Sequence, residues 1–216
     1  SKSKGRATIK IDTRVRCFTK RVSGFNPILI TLTIREASNR VYYLGVDKMP
    51  KISVIVPDKF EKYIEKTLRS LKEQAFKDFE AIIINDGSTD NTERIIKEVL
   101  QDTKFQWKLI NQENQGVSAA RNRGIIESKG EYISFLDADD YYHPTFLEKM
   151  YNKAKEKNYD VVFCNYALVT KKGKIISIRK QPKEFIDVSL DGKKVLELAL
   201  ENKLSICTES YICKKD

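Results

Sequence analysis

Three carboxylates fall within four residues at Asp137-Ala138-Asp139-Asp140, directly after the apolar run Glu131-Tyr132-Ile133-Ser134-Phe135-Leu136. Clustered like charges repel, and holding them together requires a cation or ordered donors. A hard divalent cation held by oxygens is one remedy. Mg2+ takes one or two protein carboxylates and fills its shell with water and substrate phosphates. The spacing therefore suggests metal-diphosphate binding. It equally suits a solvated acidic loop that favours the positive end of a helix starting near Pro144. A second candidate is Asn85-Asp86-Gly87-Ser88-Thr89-Asp90, again after an apolar run. Asp86 is placed to accept a hydrogen bond from a base or sugar; the alternative is a turn plus helix cap, for which Asp90 alone would suffice. A third is Arg121, in Asn114-Gln115-Gly116-Val117-Ser118-Ala119-Ala120-Arg121-Asn122-Arg123-Gly124. Arg121 can reach an anion, hold a carboxylate of the acidic loop, or form an ordinary surface ion pair. A single histidine, His143, argues against His-based metal or relay chemistry.

The elements that position these residues follow from periodicity. Ile52–Val56, Phe79–Ile84, Trp107–Ile110, Glu131–Leu136 and Asp160–Cys164 are short apolar runs that read as strands. Between them lie helical patterns: Tyr63, Ile64, Thr67, Leu68 and Leu71; Ile95, Ile96, Val99 and Leu100; Val117 to Ser128; and Phe146, Leu147, Met150, Tyr151 and Ala154 after Pro144. The Asp90–Glu93 spacing suggests a capping box. Gly116, followed by small residues, suggests a helix opening closely against the sheet. Strands alternating with amphipathic helices predict an α/β fold, a mostly parallel sheet with helices on both faces. In such sheets ligands bind at the carboxyl ends of the strands. All three candidate segments belong there.

Residues 1–50 follow a different pattern. They hold 11 of the 40 Lys and Arg but 3 of the 30 Asp and Glu, so most of the net charge of +10 lies in them. Ala7–Asp12, Ile28–Ile34 and Arg40–Gly45 alternate as strands and predict a small basic antiparallel β-meander that packs on something larger. The expected division is 1–50, a basic β-rich extension, and 51–216, the α/β domain. The basic excess makes residues 1–50 a candidate surface for nucleic acid or an anionic partner. The composition, 41% hydrophobic and 32% charged, excludes a disordered or collagen-like chain. No apolar stretch is long enough to span a bilayer, no secretory signal opens the chain, and the four cysteines form no CxxC pair. A cytoplasmic location follows as the expectation, with attachment to the inner face of the membrane as a variant of it.

Taken in order, Ile52-Ser53-Val54-Ile55-Val56-Pro57, Asn85–Thr92, Asn114–Gly124 and Phe135–Asp140 resemble the signatures of family-2 glycosyltransferases. The resemblance runs from about residue 51 to the end of the chain. It implies the A-type, nucleotide-diphospho-sugar transferase fold and an inverting transfer of sugar from a nucleotide-diphosphate donor, a UDP-sugar first among them, to a carbohydrate hydroxyl, as in cell-surface polysaccharide synthesis. It also implies roles. Pro57 begins the loop beside the base, Asp86 binds the base, Arg121 belongs to the nucleotide site, Asp137 meets the ribose or its junction with the diphosphate, and Asp139 ligates Mn2+ or Mg2+. The segment Asp58-Lys59-Phe60-Glu61-Lys62-Tyr63 lacks the family's aromatic-Asn pair. The family's base is an acidic residue beyond the metal motif. Ser205–Asp216 leads towards it, leaving Glu209 and Asp216 as candidates and implying a truncated acceptor half. Two other readings stay open: a catalytically incomplete nucleotide-binding module, and a nucleic-acid-binding role for residues 1–50, whose Arg40–Val46 bears a likeness to the arm-site DNA-binding segment of tyrosine recombinases.

Overall fold

In a computed structural model, residues 8–19, 49–58, 61–170, 173–185, 188–204 and 206–215 are described. The predicted core elements form. They are β2 (Ile52–Asp58), α1 (Glu61–Lys72), β3 (Phe79–Asp86), α2 (Thr92–Leu100), β4 (Gln106–Gln112), α3 (Val117–Glu127), β5 (Tyr132–Phe135), α4 (Phe146–Glu156) and β7 (Val161–Val169). Preceding them is β1 (Thr8–Thr19); β6 (Tyr141–Tyr142), β8 (Ile175–Arg179), β9 (Ser189–Asp191), α5 (Gly192–Leu200) and β10 (Tyr211–Lys214) complete the chain. One mixed sheet runs β4-β3-β2-β5-β10-β7-β1-β6, with β8 on β7 and β9 on β1.

The alternation within each strand explains the layers. Ile52, Val54 and Val56 of β2, with Ala81 and Ile83 of β3, join the large core with residues of α1, α2 and α4. The intervening residues point the other way: Ile55 packs with Ile133, Phe135 and Ile125, and Ile82 and Ile84 pack with Ala120 of α3. Helices thus cover both faces, and central strands such as β2 and β3 are buried along their whole length.

Three expectations change. Asp90 and Glu93 form no capping box: Asp90 Oδ1 accepts from the Thr92 amide at 3.1 Å and its hydroxyl at 2.6 Å, while Glu93 pairs with Lys97. Gly116 is needed for its backbone, at φ +86°, and the close approach falls two turns later. A Cβ on Gly124 would lie 2.3 Å from Ile55 Cγ2. Finally, β1 joins the main sheet, parallel to β7 and antiparallel to β6 and β9. The expected strands at 28–34 and 40–45, with the recombinase-like segment, lie outside the described residues. No helix among the described residues is long and apolar enough to cross a membrane.

Candidate active site at the carboxyl edge of the sheet

β2 lies between β3 and β5, all three parallel. Asp86 therefore ends the strand on one side of β2, and the acidic loop follows the strand on the other. Pro57 closes the gap between them. It does not end β2 as its ring would suggest; it pairs with Ile84 inside the strand. The carbonyl of Ile55 accepts from Leu136, so Ile55 faces β5. Pro57, two residues on, faces the same side after β5 has ended, where no donor is required of it.

Asp86 is buried, with 3% of its surface exposed. Its Oδ1 accepts from Gln112 Nε2 at 2.8 Å and the Gln115 amide at 2.9 Å, and its Oδ2 accepts from the Gly116 amide at 2.8 Å. The carboxylate thus fastens the β4–α3 connection and sits at the positive end of α3. Gln112 carries no functional signal in the sequence beyond standing at the end of a strand. Asn85 anchors the same edge: its Oδ1 accepts from the Ser88 amide at 3.0 Å, and its Nδ2 donates to Asn111 Oδ1 at 2.9 Å.

The acidic loop is not a bare cluster of repelling charges. Arg121 Nη2 donates to both Asp137 oxygens, at 2.7 and 2.9 Å. Its side chain is only 11% exposed. Of the uses open to Arg121 in the sequence, the structure shows the hold on a carboxylate of this loop. Burial disfavours the guanidinium's charge, but Asp137 outweighs that, and its pKa stays above the usual arginine value. Its Nε is buried with no hydrogen-bond partner among the described residues. Asp140 is buried, and its amide donates to the Asp137 carbonyl at 3.0 Å. The Thr67 hydroxyl on α1 lies 2.7 Å from the carbonyls of both Ala138 and Asp140. Helical spacing marks Thr67 only as a packing position; a hydroxyl in an aliphatic stripe is the available clue. Asp139 stays half-buried at the lip of this pinned loop.

Glu209 stands in a 3-10 turn, Thr208–Ser210, just before β10. It is 4% exposed. Arg121 Nη2 lies 3.8 Å from its Oε1, and the Cys207 thiol donates to its Oε2 at 2.8 Å. Burial first, then the charge of Asp137, push its pKa up to about 8. Burial and Glu209 push the Cys207 thiol upward as well. Asp216 lies outside the described residues.

Among the described residues no group of three or more His, Cys, Asp or Glu is gathered to hold a metal. The donors present fit a cation that takes one or two protein oxygens and completes its shell from substrate, not one caged by protein.

The mixed α/β sheet, with a carboxylate at the end of one strand and an acidic loop at the end of another, matches the GT-A, nucleotide-diphospho-sugar transferase fold of the solved structures it resembles. The family model for glycosyl transferase family 2 matches residues 53–212, and the chain belongs to that family. EpsH of Bacillus subtilis is 39% identical over 154 residues, covering 67% of this chain and 44% of EpsH. Residues 1–349 of TarS from S. aureus are 34% identical with a TM-score of 0.50, covering 52% of this chain and 34% of that one; a complex of the same TarS chain with UDP-GlcNAc is 32% identical at the same TM-score. The mannosyltransferase PcManGT of Pyrobaculum calidifontis, in complex with GDP-Man and Mn2+, is 22% identical with a TM-score of 0.50, covers 55% of this chain and 36% of its own, and bears on the fold alone. The chain spans less than half the length of EpsH and of TarS.

Proposed function

We propose that this chain supplies the donor site of a metal-dependent, inverting glycosyltransferase that moves a sugar from a nucleotide-diphosphate donor to a carbohydrate hydroxyl. The observation that carries the reading is the placement of Asp86 and the Asp137–Asp140 loop on either side of the end of β2. A nucleotide laid across that edge meets Asp86 with its base and the acidic loop with its ribose and diphosphate. The complex of TarS with UDP-GlcNAc favours a UDP-sugar. Asp139 would hold Mn2+ or Mg2+. When bound, the cation neutralises charge on the departing diphosphate.

The remaining work belongs to the chain itself. Asp86 fixes the Gln115-Gly116 turn and offers a carboxylate edge to the base. Arg121 fixes Asp137, so that the loop meets the ribose with one orientation. Inversion requires the acceptor hydroxyl to attack the anomeric carbon in a single displacement, losing its proton to a base. The family resemblance carries the acceptor class and the role in cell-surface polysaccharide.

The test is calorimetry with UDP and GDP, with and without Mn2+. UDP binding that strengthens with Mn2+ and is lost in Asp139→Ala is the expected result. Affinity indifferent to the cation would remove the metal from the proposal, and no binding of either nucleotide would remove the donor site.

A further inference from the structure

Glu209 is a buried carboxyl that this chemistry leaves without a role. The sheet explains how it reaches the site. β10 pairs antiparallel with β5, Ile212 opposite Ser134 and Cys213 opposite Ile133. Glu209 comes two residues before β10 begins and Asp137 two residues after β5 ends, so both stand at the same end of this antiparallel pair. The turn before β10 therefore brings a second carboxyl beside the acidic loop, its Oε1 3.8 Å from the same Arg121 Nη2 that holds Asp137.

The charges there are unequal. Among the described side chains one guanidinium, Arg121, faces two carboxyls, at 2.7 Å from Asp137 and 3.8 Å from Glu209. A buried site of this kind is balanced when one carboxyl keeps its proton. Asp137 takes the short contacts and is 32% exposed, while Glu209 is 6% exposed at its side chain. The proton therefore belongs on Glu209. The other groups facing it are the Cys207 thiol of its own turn and the Tyr211 phenol of β10; Asp140 acts on Cys207. Burial holds both the thiol and the phenol in their neutral forms by raising their pKa values. Among the described side chains none supplies a second cation; β1, which also packs against this turn, carries Lys10, Asp12, Arg14 and Arg16.

We infer that Glu209 is a positioning residue, not the acceptor base: protonated, it donates to Asp137 and locks the Arg121–Asp137 pair, and with it the acidic loop, in the donor-binding orientation. Ionising Glu209 sets a second negative charge against Asp137 and divides Arg121 between them, which releases the loop. The inference rests on the donor site proposed above. It makes donor affinity fall with rising pH, through a group that never touches the donor.

UDP isotherms with Mn2+ at pH 7 and pH 9 test this, on the full chain and on Glu209→Gln, whose amide keeps the shape and a donor but cannot ionise. With Glu209 titrating at about 8, the fraction of competent protein drops about tenfold between these pH values, and apparent affinity drops with it. Titration of nucleotide or metal-bound water affects both proteins alike. The expected result is an about tenfold loss in the parent chain beyond any loss in Glu209→Gln. Parallel profiles, with UDP bound by both, overturn the inference. If the parent chain binds neither UDP nor GDP, the donor reading fails, and carboxyl NMR of 13C-Glu-labelled protein decides the rest. A Glu209 signal, assigned by its loss in Glu209→Gln, that stays protonated at pH 7 and moves in Asp137→Asn supports the lock. A Glu209 signal already ionised at pH 6 overturns it.

Discussion

Asp86 has an architectural role in the structure and a recognition role in the proposed donor site. All its contacts with Gln112, Gln115 and Gly116 come from donors, reaching both oxygens. An amide in its place must turn an NH2 towards one of those donors. Asp86→Asn is therefore expected to fare little better than Asp86→Ala. A hydrogen bond to a charged group contributes roughly 1.5–3 kcal/mol, so either change should weaken UDP binding about ten- to a hundredfold. Either should also lower the urea midpoint, because Ala removes the acceptor of two backbone amides and Asn that of at least one donor. Unchanged isotherms and midpoints in Asp86→Asn would show that neither role depends on the second oxygen. Asp139 differs, being half-buried at the loop's lip. Asp139→Ala should leave the stability within about 0.5 kcal/mol of the parent, as surface substitutions do, while the Mn2+-dependent part of UDP binding disappears.

At the scale of elements, the site depends on α3 and α1 standing where they do. α3 lies on β2 through Gly124, which leaves no room for a Cβ against Ile55. Gly124→Ala should push the helix off the sheet and cost about 1–3 kcal/mol, the range for overpacking a tight interface. Arg121 rides on the same helix, so UDP affinity should fall with the stability. α1 acts through Thr67, whose hydroxyl serves the carbonyls of Ala138 and Asp140. Thr67→Val keeps the shape and removes the donor. Leaving those carbonyls unserved should cost about 1–3 kcal/mol by urea denaturation. If the loop depends on α1, metal-dependent binding weakens in the same variant; if it does not, only the midpoint moves.

For the molecule as a whole, Glu209 ties stability to pH. Its folded pKa, about 8, lies above the ordinary glutamate value of 4.5, so the folded chain binds more protons than the unfolded one between these values. The stabilisation is complete below about 4.5 and is lost as pH rises through about 8. The unfolding free energy from urea titrations should accordingly decline from pH 5 to pH 8.5 in the parent chain, by an amount on the order of a few kcal/mol. The decline should be shallower in Glu209→Gln, which has no proton to lose. Equal slopes would place Glu209 in a solvated setting.

Local pattern is enough to find what local pattern causes. The central parallel strands β2 and β3 are apolar runs because both faces of the sheet are covered there, and α1, α2 and α4 show the period of their buried sides. Those signals alone place Asp86 and the acidic loop at strand ends and Arg121 on the helix that follows β4. Other features depend on residues far apart in the chain. Gln112 and Thr67 read as a strand end and a packing position; their roles exist only because β3 lies beside β4 and α1 beneath the loop. β10 is four residues long, and nothing in Tyr211-Ile212-Cys213-Lys214 announces that it inserts between β5 and β7. That insertion brings Glu209 to the end of the sheet where Arg121 holds Asp137, and on the inference above turns a candidate base into a buried, proton-holding neighbour of the site. Sequence determines which groups are available and which strand ends carry them. Register and burial decide which of them share a charge, because a pKa and an ion pair are properties of neighbours in space.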